Sequence, residues 1–428
     1  MFQLLTLASL SSLATALLWE APISYTETRT GRNYNTIKIS VGTPPQEFNV
    51  CLDTGSSDTW VAASNVTSIE DRFETQDSSS FVFKEPKQYF AVRYGEGSYA
   101  GGYWGFDTVS VGPTSVTDQG LAVVYDTDVT LGMFGLGPRA LSSSLDAKFN
   151  QPAFAYTHHM DSLAQQHGIS TAFSTWMAGN DRTGVVTFGG YDKSRYQGQL
   201  NMVPIVAGRQ FNIQSETVAI NNQLVYPHPG IYHVDTGSET MRLPLKLYNA
   251  IADQFEEPPR YPGAPIPCNQ PLPKGNVTFR FGHGYIHVPL ADLINPYRPD
   301  GHYWSGSDGR TLCKFGVVAA HDYTLGGAFL RAAYIFYDWD NQRMGLAQAK
   351  KSVSQNRHYI VAKRDQLDGE VSENSVSDDS DIPNIADTGN PGNTTVQIPV
   401  STAVQANGVA KTGVTGAVVA ASFFSFLF

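Results

Sequence analysis

The chain has 428 residues, 16% of them charged, and a formal net charge of −10. This length exceeds what one ordinary hydrophobic core supports, so we expect two lobes. We expect no nucleic-acid partner, because the sequence contains no basic stripe to neutralise phosphates. Gly, Ser, Thr and aromatic residues are abundant, and this composition favours short strands and turns over long helices.

The beginning of the chain has the pattern of a secretory signal peptide, which we expect to cover residues 1–16. Residues 4–18 form a short apolar run, and Ala14-Thr15-Ala16 has the small-x-small pattern of a cleavage site. An apolar N-terminal strand is the alternative interpretation. Three Asn-x-Thr sequons also favour secretion. The predicted glycosylation sites are Asn65, Asn276 and Asn393.

Residues 17–350 have the sequence pattern of an all-β protein. We expect an N-terminal lobe over 17–200 and a C-terminal lobe over 201–350. Short alternating runs such as residues 36–41 are separated by Gly, Pro, Asn and Asp. Helical patterns are few, and residues 245–255 are one candidate. The three cysteines include no C-x-x-C pair, which argues against zinc and thioredoxin-like redox sites. Cys51 lies in an apolar strand and is expected to remain a buried thiol.

The composition changes after residue 350. Residues 351–407 are expected to form a disordered stalk, because residues 365–407 hold few large apolar groups that could offset the entropy of ordering. Residues 408–428 place small residues and a polar spacer before an apolar tail. This is the pattern of a glycosylphosphatidylinositol (GPI) attachment signal that is removed on maturation, with Asn407 as the predicted attachment residue. A simple C-terminal membrane anchor is the alternative.

One four-residue motif occurs twice, each time at the end of an apolar strand and followed later by an apolar-Gly element. The copies are Asp53-Thr54-Gly55-Ser56 and Asp235-Thr236-Gly237-Ser238. Duplicated halves with one acid each predict a site at their interface. A third Asp-Thr-Gly, at Asp387, lacks a preceding strand and is interpreted as a turn.

The chemistry of this site follows from the paired acids. Two carboxylates held close together cannot both ionise easily, so they share one proton. The ionised partner can take a proton from a water that attacks a peptide carbonyl, while the protonated partner donates to the developing oxyanion. Glycine permits the tight turn and lets a backbone N–H approach the carboxylate. We expect the Thr hydroxyls to join the two loops and each Ser hydroxyl to steady its carboxylate.

From about residue 34 to 349 the chain resembles the pepsin-like aspartic proteases, in particular their fungal GPI-anchored, yapsin-like type. The matching segments are residues 41–46, 53–61, 94–98, 105–109, 187–198 and 325–331. The resemblance implies an all-β, bilobal pepsin-like fold, with two β lobes of the six-stranded type and the active site in the cleft between them. It implies a secreted aspartic endopeptidase, acting at acidic pH without cofactor or metal. The expected partners are polypeptide substrates and, through a GPI anchor, the plasma membrane or cell wall; the expected oligomeric state is a monomer.

The resemblance also assigns roles to single residues. Asp53 and Asp235 become the catalytic dyad. Tyr94 becomes the tyrosine of the flap, the hairpin that closes over substrate, and Trp60 its hydrogen-bond partner. The disulfide of the family's second lobe is matched by Cys268 and Cys313.

Substrate contacts are expected at Gly95, Glu96 and Glu239. The two glutamates are expected to make the cleft acidic and to favour substrates with Lys or Arg near the scissile bond. Solvated surface carboxylates are the alternative interpretation.

The chain departs from the family pattern in four ways, one of which is that the first lobe lacks the usual disulfide. Residues 239–242 are Glu-Thr-Met-Arg where small or apolar residues are usual, and Gly327 replaces a common Asp. Only 36 residues separate Ala16 from Asp53, which leaves no room for the usual inhibitory propeptide. A catalytically weak or inactive protease-like binding or cell-wall protein is therefore the alternative function.

Overall fold

The structure, a computed structural model, describes residues 18–28, 32–145, 151–178, 183–206, 209–295, 304–306, 309–353 and 358–360. The predicted signal peptide, the sequon at Asn393, the GPI attachment residue Asn407 and the third Asp-Thr-Gly at Asp387 lie outside these residues. So does the predicted stalk, except for residues 351–353 and 358–360. Residues 358–360 form a strand that pairs with residues 190–192, so the expectation of disorder is wrong for them. Within the described ranges, no helix is long and apolar enough to cross a membrane.

Strands dominate the described part of the chain. Up to residue 192 they are β1 Trp19–Glu27, β2 Asn33–Val41, β3 Gln46–Asp53, β4 Trp60–Ala63, β5 Arg72–Phe73, β6 Val82–Phe83, β7 Tyr89–Arg93, β8 Tyr99–Val111, β9 Thr114–Thr127, β10 Gly132–Gly135, β11 Ala172–Trp176, β12 Gly184–Phe188 and β13 Gly190–Asp192. Beyond residue 200 they are β14 Asn201–Pro204, β15 Asn212–Ser215, β16 Thr217–Ile220, β17 Gln223–Tyr226, β18 Gly230–Val234, β19 Met241–Leu243, β20 Ile266–Pro267, β21 Asn276–Phe281, β22 Gly284–Pro289, β23 Ile294–Asn295, β24 Trp304–Ser305, β25 Thr311–Phe315, β26 Val317–Ala319, β27 Thr324–Leu325, β28 Ala333–Asp338, β29 Arg343–Gln348 and β30 His358–Ile360.

Helices are few and short. The described residues contain α1 His159–His167, α2 Leu245–Ala252 and α3 Gly327–Ala332. Single turns of 3₁₀ helix lie at Thr75–Asp77, Arg139–Leu141, Ser143–Leu145, Lys193–Arg195 and Leu290–Leu293. The helix predicted over residues 245–255 is present, although it ends at Ala252. The all-β prediction is confirmed.

One large sheet extends from the N-terminal half into the C-terminal half. In the described residues it has 15 strands, ordered β14-β29-β28-β11-β12-β1-β2-β3-β10-β4-β9-β8-β6, with β5 beside β4 and β7 beside β8. β11 pairs antiparallel with β28, and β14 pairs antiparallel with β29. The two halves of the chain on either side of residue 200 therefore share one hydrogen-bonded sheet.

The remaining strands of the C-terminal half form smaller sheets. Their orders are β15-β18-β27-β19-β26, β17-β16-β21-β22 and β20-β25-β23, with β24 beside β25. β13 pairs with β30. A continuous cluster of buried apolar side chains reaches from β1 and β3 to β28 and β29, so both halves pack on a connected core.

Two parallel strand pairs position the repeated motif. β3 runs parallel to β10, with Asp53 opposite Gly135. β18 runs parallel to β27, with Val234 opposite Leu325. The apolar-Gly elements that follow each motif in the sequence are therefore the strands that support it. Each aspartate lies where its strand ends, which leaves its carboxyl group free of the sheet.

Candidate active site

The two Asp-Thr-Gly-Ser loops approach each other most closely at their glycines. A Cβ atom at Gly55 would lie 2.7 Å from Cγ of Asp235, and a Cβ at Gly237 would lie 2.6 Å from Oδ1 of Asp53. Both distances are far below van der Waals contact, so a larger residue would displace the opposite carboxyl group. Each aspartate thus lies directly against the glycine of the other loop, and the two carboxyl groups share one site.

The two threonines join the loops by four reciprocal hydrogen bonds. The Thr54 backbone N–H donates to Thr236 Oγ1, and the Thr236 N–H donates to Thr54 Oγ1, both at 3.0 Å. The Thr54 hydroxyl donates to the Val234 carbonyl at 3.0 Å, and the Thr236 hydroxyl donates to the Leu52 carbonyl at 2.6 Å. Both side chains are buried. The expected link between the loops is confirmed.

The two carboxyl groups have different hydrogen-bond donors. Asp53 accepts from the Gly55 N–H at 2.8 Å and from the Ser56 hydroxyl. Asp235 accepts from the Gly237 N–H at 2.9 Å.

The expectation that Ser238 steadies its carboxylate with its hydroxyl is wrong. The Ser238 hydroxyl donates instead to the Thr240 carbonyl, at 3.0 Å. A serine hydroxyl carries a single proton, and a nearby backbone carbonyl competes for it effectively. The sequence symmetry of the two motifs is therefore not reproduced in their hydrogen bonds.

Burial raises the pKa of both carboxyl groups. The pKa of Asp53 is raised to about 7 by burial and then by the charge of Asp235, against the opposing effect of the Ser56 hydroxyl and the Gly55 N–H. Burial likewise raises the pKa of Asp235. Two interacting carboxyl groups of this kind lose their protons in separate steps. Between those steps the site offers one acid and one base at the same place.

The flap is the hairpin of β7 and β8. At its tip the Tyr94 N–H donates to the Ser98 carbonyl at 2.8 Å, and Gly97 has a φ of +95°, which glycine adopts without strain. The Trp60 indole N–H donates to Tyr94 Oη at 2.7 Å, which confirms the predicted contact. Trp60 is fully buried, so it holds the tyrosine ring at a fixed point beside the loop of Asp53.

Glu96 and Glu239, which were expected to make the cleft acidic, each contact a cation. Glu96 at the flap tip lies 3.0 Å from Arg32 Nη1 and also accepts from the Ser98 hydroxyl. Glu239 forms an ion pair with Lys314. Their charges are therefore offset by partners within the protein.

The remaining predicted positions are the three cysteines and the sequons. Cys268 and Cys313 form a disulfide, and Cys51 is a buried thiol, as expected. Asn65 is exposed, and Asn276 begins β21 with its side chain partly exposed.

In the part of the chain that the structure describes, no group of three or more His, Cys, Asp or Glu side chains could hold a metal ion.

Comparison with known proteins identifies the family. The sequence model described as "Eukaryotic aspartyl protease" matches residues 33–349. The chain belongs to this family. As a family member it is an aspartic endopeptidase, a peptide hydrolase, with the bilobal pepsin-like fold that the resemblance implied.

Similar aspartyl proteases come from several fungi. The "Acid protease" of Saccharomycopsis fibuligera is 29% identical over 73% of this chain and 80% of its own length. The "Probable aspartic-type endopeptidase OPSB" of Arthroderma benhamiae is 28% identical over 82% of this chain and 74% of its own length. The "Secreted aspartic protease 5" of Candida albicans is 29% identical over 74% of this chain and 76% of its own length.

Sequence reasoning missed four side chains that contact the second aspartate loop or the flap: Arg32, Asn33, Asn35 and Lys314. Asn35 donates to the Thr236 carbonyl at 2.9 Å, and Asn33 donates to Glu239 at 2.7 Å. Arg32 and Lys314 are the partners of Glu96 and Glu239. None of these residues lies in the segments that carried the resemblance. The one available signal was the Asn-x-Asn spacing of Asn33 and Asn35, which places both side chains on one face of a strand.

Proposed function

We propose that the chain is a secreted endopeptidase that hydrolyses peptide bonds at acidic pH, with Asp53 and Asp235 as its catalytic dyad. One observation carries the proposal: each carboxyl group lies against the glycine of the opposite loop, within 2.7 Å of the position of a Cβ atom. Thr54 and Thr236 support this arrangement by holding the two loops together across the halves of the chain.

The proposed reaction uses the shared proton of the dyad. The ionised aspartate accepts a proton from a water molecule, whose oxygen bonds to the peptide carbonyl carbon. The protonated aspartate donates its proton to the carbonyl oxygen, which gives a neutral tetrahedral diol. The dyad then takes back one hydroxyl proton and protonates the amine nitrogen as the C–N bond breaks. The free carboxylic acid and amine leave, and the dyad again holds one proton.

The pH range of activity follows from the same proton. With the pKa of Asp53 raised to about 7, raising the pH through neutrality ionises both carboxyl groups and removes the acid that the reaction needs. Activity is therefore expected in the acid range and is expected to fall as the pH approaches and passes neutrality.

Substrate contacts are proposed at Gly95 and Glu96 on the flap tip, next to Tyr94. The expected preference for Lys or Arg remains part of this proposal, although Arg32 offsets the charge of Glu96. Peptide profiling of wild type against Glu96→Gln tests it. Equal cleavage of basic and neutral peptides by both proteins would rule out the preference.

We also propose a route to the cell surface. It comprises a signal peptide over 1–16, the protease lobes over 17–200 and 201–350, a stalk over 351–407 and a GPI signal over 408–428, as in yapsin-like enzymes. The name of the relative "Secreted aspartic protease 5" supports secretion, and exposed Asn65 supports glycosylation. Release of the protein from expressing cells by a phosphatidylinositol-specific phospholipase C, abolished in Asn407→Gln, would support the anchor. Retention after the phospholipase treatment would exclude it.

The activity itself is tested with a denatured protein substrate. We expect hydrolysis by the wild type between pH 3 and 7, inhibition by pepstatin, and loss of hydrolysis in Asp53→Asn. An inactive wild type at every pH would favour the alternative, a protease-like binding or cell-wall protein. Hydrolysis that persists in Asp53→Asn would contradict the proposed dyad.

A further inference from the structure

The two aspartate loops diverge directly after the shared Asp-Thr-Gly-Ser. The first loop continues with Ser57, which is small and buried. The second continues with Glu239, whose side chain is only 11% exposed. A carboxylate so far removed from water requires partners within the protein, because an unpaired buried charge is strongly unfavourable.

Glu239 has two such partners, and they come from separate parts of the fold. Asn33 Nδ2 donates to Glu239 Oε1 at 2.7 Å, and Lys314 Nζ forms an ion pair with Oε2. Asn33 is the first residue of β2 and is 6% exposed. Lys314 belongs to β25. The Glu239 carboxylate therefore links the loop of Asp235 to both β2 and β25.

The strand β2 holds the same loop at a second point. Asn35 lies two residues beyond Asn33, so both side chains leave the same face of the strand. Asn35 Nδ2 donates to the Thr236 carbonyl at 2.9 Å. The contacts at Thr236 and Glu239 bracket the segment between them, which includes Gly237, the donor to Asp235.

Lys314 is itself anchored. Its neighbour Cys313 is joined to Cys268 by the disulfide. Lys314 also pairs with Asn295 of β23, and Asn295 Nδ2 donates to Tyr25 Oη of β1 at 3.0 Å. The hairpin of β1 and β2 thus contacts β23 and the loop of Asp235, and Lys314 reaches Glu239 from a strand that pairs with β23.

We propose that Glu239 is a positioning residue for Asp235. Asp53 receives a hydroxyl donor from Ser56, whereas the Ser238 hydroxyl bonds to Thr240, so the hydrogen bonds that Asp235 receives from its own loop come from backbone N–H groups. The bridge from Asn33 through Glu239 to Lys314 holds this loop and fixes Asp235 against Gly55. Each oxygen of Glu239 already has a partner within the protein, which favours a positioning role over the substrate contact expected from the sequence. The inference rests on the proposed dyad and deepens it.

Glu239→Gln is the first test, because the amide keeps an oxygen for Asn33 but loses the charge that pairs with Lys314. We expect kcat to fall about tenfold with KM within about twofold, since a misplaced catalytic group costs turnover rather than binding. The pH profile of kcat is expected to shift, because the separation of the two carboxyl groups sets their apparent pKa values. Lys314→Met should act in the same direction, and the double variant should cost less than the sum of the two.

The matched control is another Lys–Glu ion pair, which lies exposed on the surface of the large sheet. Lys38 and Glu47 lie 2.9 Å apart with side chains 61% and 66% exposed. Glu47→Gln should leave kcat, KM and the pH profile unchanged. A rise in KM alone in Glu239→Gln would assign Glu239 to substrate binding and overturn the inference. Unchanged kcat and pH profile in both Glu239→Gln and Lys314→Met would overturn it as well.

A crystal structure of Glu239→Gln gives a result that does not depend on turnover. We expect the segment from Gly237 to residue 239 to shift and the Asp235 carboxyl group to move away from Gly55. An undisplaced Asp235 would contradict the positioning role. An inactive wild type would instead count against the proposed function, so the two failures are distinguishable.

Discussion

Ser56 and Ser238 occupy equivalent places in the two loops but bond to different groups. The Ser56 hydroxyl lowers the pKa of Asp53 against the effect of burial, whereas the Ser238 hydroxyl is committed to the Thr240 carbonyl. Two single substitutions of the same kind therefore have different consequences for the dyad.

We expect Ser56→Ala to move the pH–activity profile to higher pH, because Asp53 loses a donor that favours its ionised form. A fall in kcat of about tenfold should accompany the shift, as one hydrogen bond to a charged group is removed. Ser238→Ala is the matched control and should leave the position of the profile unchanged. Equal shifts in both variants would contradict the asymmetric bonding of the two hydroxyls.

Single residues also mark the limit of what the sequence could predict. The proximity of Asp53 and Asp235 was predictable, because strand, acid, glycine and hydroxyl are local features that occur twice. The partners of Glu239 were not, since Asn33 lies 206 residues and Lys314 lies 75 residues away in the chain. The direction of the Ser238 hydroxyl was not predictable either, because it depends on the geometry of the turn and not on the residue type.

At the scale of elements, one of the contacts that hold the flap is made with β4. Trp60 begins β4, whereas Tyr94 directly follows β7. Their hydrogen bond sets the position of the hairpin tip relative to Asp53. The flap was predictable from its sequence segment, but the ion pair of Glu96 with Arg32 was not, since Arg32 lies at the end of another hairpin.

Tyr94→Phe and Trp60→Phe remove the same hydrogen bond from opposite sides. We expect each to lower kcat by about tenfold, in line with the loss of about one hydrogen bond. The double variant should be little worse than either single variant, because the interaction is lost only once. Fully additive effects in steady-state kinetics would show that the two side chains act independently.

At the scale of the whole molecule, stability against pH is set by buried groups with opposite tendencies. Burial lowers the pKa of His159 to about 3, so its stabilising contribution is present above its ordinary pKa and is lost as the pH falls. Burial raises the pKa of Asp53 to about 7, so its contribution is present in acid and is lost as the pH rises through 7. The folded state is therefore destabilised by His159 as the pH falls and by Asp53 as the pH rises.

His159→Phe is expected to reduce the loss of stability in acid. The ring of His159 is 2% exposed and packs edge-on against Phe134 of β10 at a centroid distance of 4.8 Å, so an apolar ring suits the site. The decrease in Tm between pH 7 and pH 4 should shrink by about 3 °C or more relative to wild type. His228→Phe, at an exposed position, is the control and should leave that decrease unchanged. An equal decrease in all three proteins would contradict the role of His159.

The two halves of the chain are joined more extensively than the sequence predicted. A boundary between the lobes was expected at residue 200, yet β11 pairs with β28 across it. Such pairings depend on residues more than 100 positions apart, which no local pattern specifies. The shared sheet and the bonds between Thr54 and Thr236 fix the separation of the two aspartates.

The joint action of Asp53 and Asp235 is tested most directly by measuring kcat/KM for Asp53→Asn, Asp235→Asn and the double variant on one peptide substrate. Because the two carboxyl groups share one proton and one water, each single variant is expected to lose at least about 1,000-fold, with no further loss in the double variant. Circular dichroism should show that all three variants are folded. Substantial activity in either single variant, or losses that multiply in the double variant, would contradict a dyad formed by one aspartate from each half.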